Sequence, residues 1–169
     1  LERELIRHAD RSTLIGSFSA ASNVTGIITD TVAVSTLLHE HNALSLWDYA
    51  AAAPYVPIEM GSSADGNLAY KDAIFISPHK LIGGPGTPGV LVARRELFTN
   101  RVPDVPGGGT VRYVSTAEHD YLPEIEHREE AGTPAIIESI RAGLVFQLKD
   151  AVGPAVIEAR ESDFVRRAI

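Results

Sequence analysis

The sequence contains no cysteine. Disulfides, thiolate metal sites and thiol chemistry are excluded within these residues, and the absence fits a reducing compartment such as the cytoplasm. A basic run is also missing: 22 acidic residues face 15 lysines and arginines, for a net charge of −7, which argues against a nucleic-acid footprint. The longest apolar stretch, Ala43 to Ile58, is interrupted by Asp48, Pro54 and Pro57, so no segment is expected to span a bilayer. No stretch reads as a secretory signal, an internal repeat or a low-complexity tract. Neither nucleic acid nor membrane is an expected partner.

What is present is a chain of 169 residues, 44% of them hydrophobic, enough to bury a core. It begins Leu1-Glu-Arg-Glu-Leu-Ile-Arg and closes on Arg166-Arg-Ala-Ile169. Both ends read as helices already under way, so the expectation is a piece of a longer chain.

Leu1, Leu5, Ile6 and Ala9 share one helical face. Leu14 to Ala20 has strand character and leads into the turn-prone Ser22-Asn-Val-Thr-Gly26. Thr29 or Asp30 can cap a helix that continues to His41. Ala43 to Trp47 is a second strand closed by Asp48, and Ala73 to Ile76 a third, closed by Ser77-Pro-His-Lys80. Strands alternating with helices or long crossovers predict an α/β fold with a mostly parallel sheet and flanking helices. The loop Gly83 to Gly89 is too short for a helical crossover, so the fourth strand, Gly89 to Ala93, is expected to run antiparallel to the third. Residues 101–130 read as a long loop. Thr133 is expected to cap a helix with Pro134 at its first position, broken at Gly153, with another helix from Pro154.

In open α/β sheets, ligands bind beyond the carboxyl ends of the strands. Three successive strands here lead into Asn23, Asp48, and Ser77, His79 and Lys80. Each has a bland alternative: Asn23 as a turn former, Asp48 as a cap, His79 and Lys80 as ordinary partly exposed side chains. Together they match the needs of pyridoxal 5'-phosphate. That cofactor requires a lysine amine for a Schiff base, a carboxylate on its ring nitrogen and donors for its phosphate.

Ser22-Asn-Val-Thr-Gly26, Trp47-Asp48, Ser77-Pro-His-Lys80, Gly83-Gly-Pro-Gly-Thr-Pro-Gly89, Gly107-Gly-Gly-Thr110 and Arg128-Glu-Glu-Ala-Gly-Thr-Pro134 follow one another as in class V aminotransferases. The sequence resembles the cysteine desulfurase and selenocysteine lyase branch most. The resemblance implies the second half of the large domain of a fold type I pyridoxal-phosphate enzyme over residues 1–150. Residues 151–169 would start the helix leading to a C-terminal domain.

By the same resemblance Lys80 is the catalytic Schiff-base lysine, Asp48 pairs with the ring nitrogen, and Asn23 bonds the ring's phenolic oxygen. Ser77 and His79 hold the phosphate, as does Thr133 from the neighbouring subunit of a homodimer, while Arg128 supports the loop of Thr133. The substrate would be a small amino acid, cleaved at C–S or C–Se. A class V aminotransferase or epimerase is the alternative, and a catalytically incomplete or non-enzymatic subunit is one of another class. Two positions depart from the family pattern: Ala51 stands where a glutamine is usual, and Pro78 where a small residue precedes the histidine. The family's nucleophilic cysteine and substrate-carboxylate arginine would lie after Ile169, and a phosphate loop and a stacking histidine before Asn23.

Two further readings are weak. The glycine runs lack the Lys-Ser or Lys-Thr of a nucleotide-binding P-loop. His39 and His41 are two apart on a helix and diverge, so no metal site is expected.

Overall fold

The computed structural model describes residues 1–169. Strands β1 (Leu14–Ser19), β2 (Ala43–Asp48), β3 (Ala73–Ile76) and β4 (Val90–Ala93) form one sheet in that order. The first three are parallel and β4 is antiparallel to β3, as expected. Helix α1 (Glu2–Arg7) precedes β1, and α2 (Thr31–Glu40) crosses from β1 to β2. Asp30, not Thr29, caps α2, its Oδ1 accepting from Ala33 N at 2.9 Å.

The face of β2 that carries Ala43, Ser45 and Trp47 is buried. Trp47 is fully enclosed, and its indole N–H donates to the hydroxyls of Ser35 on α2 and Ser45. A buried indole needs such a partner, so this serine pair fixes the seat of α2 on the sheet. Around Trp47 lie Ala20, Tyr49, Ile74, Ile76, Leu81 and Val145.

At the amino-terminal edge of the sheet, the Asp72 carboxylate accepts from Ser45 N at 2.8 Å and pairs with His39 Nε2 at 2.9 Å. The other ring nitrogen of His39 meets Leu68 O at 2.7 Å. Tyr70 stacks on the imidazole at 3.9 Å, and Arg94 lies 4.7 Å over the Tyr70 ring. Both side chains of the pair are 6% exposed, and together they tie α2, β2 and β3.

Residues 101–130 depart from the expected loop. They hold a hairpin of β5 (Val111–Val114) and β6 (His119–Tyr121), and a one-turn helix α3 (Ile125–Arg128). Thr133 does not cap the next helix. Helix α4 (Ile136–Val152) starts after Ala135, which makes no side-chain cap bond, so Pro134 also lies outside it. The physical reason is that Gly132 N is already committed to Gly108 O at 2.8 Å, which holds this segment off the helical path. Gly153 separates α4 from α5 (Pro154–Ala168) as expected.

The solvent-accessible surface is 11,415 Å², whereas a self-contained protein of 18.1 kDa exposes about 8,100 Å². Part of the excess is apolar: Ile136, Ile137, Ile140 and Leu144 on α4 are 57–66% exposed. No helix is long and apolar enough to cross a membrane.

Asp72→Ala leaves His39 buried without its partner. It should lower the unfolding free energy by about 3–5 kcal/mol, measured by urea denaturation. Arg95→Ala, which removes the exposed pair with Glu126, should change it by about 1 kcal/mol or less.

Candidate active site

The parallel register aligns Ser19 with Asp48 and Asp48 with Phe75. The ladder continues one step past the strand ends, with Ala20 N bonded to Asp48 O at 2.9 Å and Tyr49 N to Phe75 O at 2.8 Å. The segments bearing Asn23, Asp48 and Ser77–Lys80 therefore leave the sheet along one edge.

Asn23 sits in a turn closed by Ser22, whose hydroxyl accepts from Val24 N and Thr25 N at 3.2 Å each. The turn is made by the serine, and the Asn23 amide stays exposed. Asp48 is exposed, and its Oδ1 accepts from Ala50 N at 2.7 Å. This is the capping role of the bland reading, and it occupies one carboxylate oxygen only. Ser77 is half-buried, and His79 is exposed with neither a hydrogen bond nor an ion pair from its ring.

Three lysines occur in the chain, and their environments differ. Lys71 is buried with Nζ donating to Glu59 O at 2.9 Å, and Lys149 is half-buried with Nζ donating to Val56 O at 2.5 Å. Burial pushes both below the ordinary lysine value, with the Glu59 carboxylate partly opposing it at Lys71. Lys80 is exposed and its amine has no hydrogen-bond or ion-pair partner.

Lys80 lines a cavity of about 1,250 Å³ together with Asn23, Ala51, Tyr55 and Arg166. Asp48, Ser77 and His79 flank this cavity on the chain without lining it, and Thr133 and Arg128 belong to another part of the molecule. Ala51 occupies the wall at the position where the family pattern has glutamine. A second hollow of about 610 Å³, between β4, α3 and α4, is lined by none of the candidate residues. No group of three or more His, Asp or Glu side chains is placed to hold a metal ion.

The glycine-rich run has a role that its sequence did not disclose. Lys80 lies in a one-turn 3-10 helix, Pro78–Lys80, with Leu81 N bonded to Pro78 O at 3.0 Å. Gly84 folds back on that turn so closely that a Cβ there would stand 1.9 Å from Pro78 O. Thr87 N and Oγ1 both donate to Gly84 O, at 3.0 and 2.7 Å, and Arg141 of α4 donates to Pro85 O at 2.9 Å. The run packs the lysine turn against α4 and leads into a strand, which is not the helix entry a P-loop makes.

Thr133 is exposed in the loop before α4. Arg128 is buried, and its Nε donates to Glu129 Oε1 at 3.1 Å. Lys149, whose bond to Val56 braces the 54–57 wall of the cavity, also escaped the sequence reading. Nothing local marks a lysine that bonds a carbonyl 93 residues away.

A match to the family described as Aminotransferase class-V covers residues 2–169. A probable cysteine desulfurase 2 of Mycobacterium leprae is 31% identical over 160 residues, covering 95% of this chain and 36% of that protein. The apo structure of a cysteine desulfurase from Thermococcus onnurineus superposes with a TM-score of 0.80 at 25% identity, covering 98% of this chain and 40% of that one. A cysteine desulfurase from Escherichia coli superposes with a TM-score of 0.72 at 25% identity over 90% of this chain and 37% of its own. The chain thus spans well under half the length of these relatives.

Gly84→Ala should disturb the lysine turn at a cost of about 1–3 kcal/mol. A lower thermal midpoint with faster proteolysis between residues 78 and 88 is the expected result. An unchanged midpoint would show that the loop yields without strain.

Proposed function

The chain belongs to the class V aminotransferase family, and we propose that it forms part of the large domain of a pyridoxal-phosphate enzyme that cleaves C–S or C–Se bonds of a small amino acid. The observation that carries this reading is the state of Lys80. It is the one lysine whose amine is exposed and unpaired, and it stands beside Asn23 in the large cavity at the carboxyl edge of the parallel strands.

The donor set fits the cofactor. Lys80 would be its covalent anchor, Asn23 would serve its phenolic oxygen, and Ser77 and His79 would offer donors to its phosphate. Thr133 offers another from a partner subunit, with Arg128 supporting its loop. Asp48 keeps one carboxylate oxygen clear of the Ala50 amide, and that oxygen would hold the proton on the ring nitrogen. Bound there, pyridoxal phosphate supplies an electron sink for the substrate carbon. Lys80 Nζ, exposed and unpaired, would hold the group and would serve as the base that removes and returns protons at the substrate carbon. In this reading residues 1–150 belong to the large domain, and α5 begins the path to a C-terminal domain. Transamination is the second reading. Ala51 in the cavity wall, where the family pattern has glutamine, departs from the pattern that selects the first reading and keeps the second in play.

Borohydride treatment of the complete protein loaded with pyridoxal phosphate should fix the cofactor on Lys80, and Lys80→Ala should abolish its shifted visible absorbance. A variant that keeps the band would overturn the assignment. With cysteine as substrate, sulfide release is expected; formation of a keto acid without sulfide would select the second reading.

Asp48→Asn should cut turnover on the order of 100-fold or more while cofactor loading changes little. Unchanged turnover would reduce Asp48 to a turn cap.

A further inference from the structure

Two glycine-containing motifs that lie apart in the sequence meet in the fold, and neither touches the Lys80 cavity. Thr110 is fully buried. Its hydroxyl donates to Gly107 O at 2.7 Å and accepts from Gly107 N at 3.2 Å, which closes the Gly107–Thr110 turn on itself. Leu122 N donates to Thr110 O at 3.0 Å and ties the turn to the hairpin. The closed turn presents Gly108 O, which accepts from Gly132 N at 2.8 Å. Gly107 also packs directly under the second motif, where a Cβ on it would stand 3.1 Å from Ala131 Cβ. Thr133 follows immediately.

From this contact chain we infer that Thr110 is the positioning residue of Thr133. Its buried hydroxyl sets the Gly107–Thr110 turn, and the turn sets the backbone from which Thr133 reaches an anionic phosphate. The inference rests on the reading of Thr133 as a phosphate-contacting residue. An exposed loop carrying a threonine is otherwise free to shift, and a hydrogen bond to a charged phosphate is sensitive to displacements of a few tenths of an ångström. Removing the hydroxyl also leaves the Gly107 amide inside the turn without its acceptor.

The test compares two ligands on the complete protein, pyridoxal phosphate and pyridoxal, because Thr133 concerns only the phosphate. Thr110→Val should weaken pyridoxal phosphate on the order of tenfold or more and leave pyridoxal unchanged, while Thr110→Ser keeps the wild-type ratio. Thr133→Ala should show the same selective loss, and adding Thr110→Val to it should cost little more. Should Thr110→Val fail to fold, Gly107→Ala, which crowds Ala131, is expected to give the same selectivity. Equal weakening of both ligands, or losses that multiply in the double variant, would overturn the positioning role. If Thr133→Ala leaves the ratio at its wild-type value, the phosphate reading of Thr133 fails and the inference falls with it. A selective loss in Thr133→Ala but not in Thr110→Val removes the inference alone.

Discussion

The Asp72 carboxylate is the contact on which the sheet edge at the site depends. It sits one residue ahead of β3, yet it accepts the Ser45 amide as a neighbouring strand would, and it draws His39 of α2 into the same joint. Side-chain direction in a strand alternates with every residue, so a slip of one position would invert each face. By fixing β2 against β3 at one end, Asp72 determines which residues stand level at the other. Asp48 falls opposite Phe75, and Ser77 to Lys80 leave the sheet just beyond. The polar groups at the carboxyl edge owe their alignment to a buried pair at the opposite edge, and to the serine-bound indole that seats α2 over both.

The lysine turn is fixed by a second, independent device. Its backbone is held between Gly84 on one side and, through Pro85, Arg141 of α4 on the other, while the amine itself touches nothing. Rigid backbone beneath an unengaged functional group is the arrangement that lets a side chain react without prior reorganisation. Helix α4 serves this purpose with one stripe, Ala142 and Val145, and leaves Ile137, Ile140 and Leu144 in solvent. That imbalance contributes to a surface well above the value for a self-contained protein of this mass.

Much of the fold was legible because it is locally determined. The apolar runs of β1 to β4, the Asp30 cap, the antiparallel return of β4 and the break at Gly153 each follow from a few adjacent residues. What escaped depends on contacts across sequence. The hairpin Val111–Val114 with His119–Tyr121 joins strands of four and three residues, linked through Arg112 and Asp120 and with no buried apolar alternation to announce them. The pattern of Thr133 and Pro134 is a sound helix start, and it failed because Gly132 is bonded to Gly108, 24 positions away in the sequence. His39 read as an unremarkable helical histidine until Asp72, 33 residues on, met it. Of the candidate site residues, Asn23 and Lys80 come to one cavity, and Asp48 stands between them in the register.

Thr133 and Arg128 stay with the hairpin, on a part of the molecule that contributes nothing to that cavity. Their separation is what the proposed reading, with Thr133 serving a neighbouring subunit, requires. In that reading a phosphate group beside Ser77 and His79 would take donors from several directions. One copy of the chain offers those of the sheet edge at one place, and an exposed threonine on a braced loop at another. Burying Thr133 against its own sheet would have spent the loop on the core. Thr133 is instead exposed, on a loop tied through Gly132 to the Gly107–Thr110 turn. The two halves of the motif series are each braced by their own backbone contacts, the lysine turn through Gly84 and Arg141 and the Thr133 loop through Gly108.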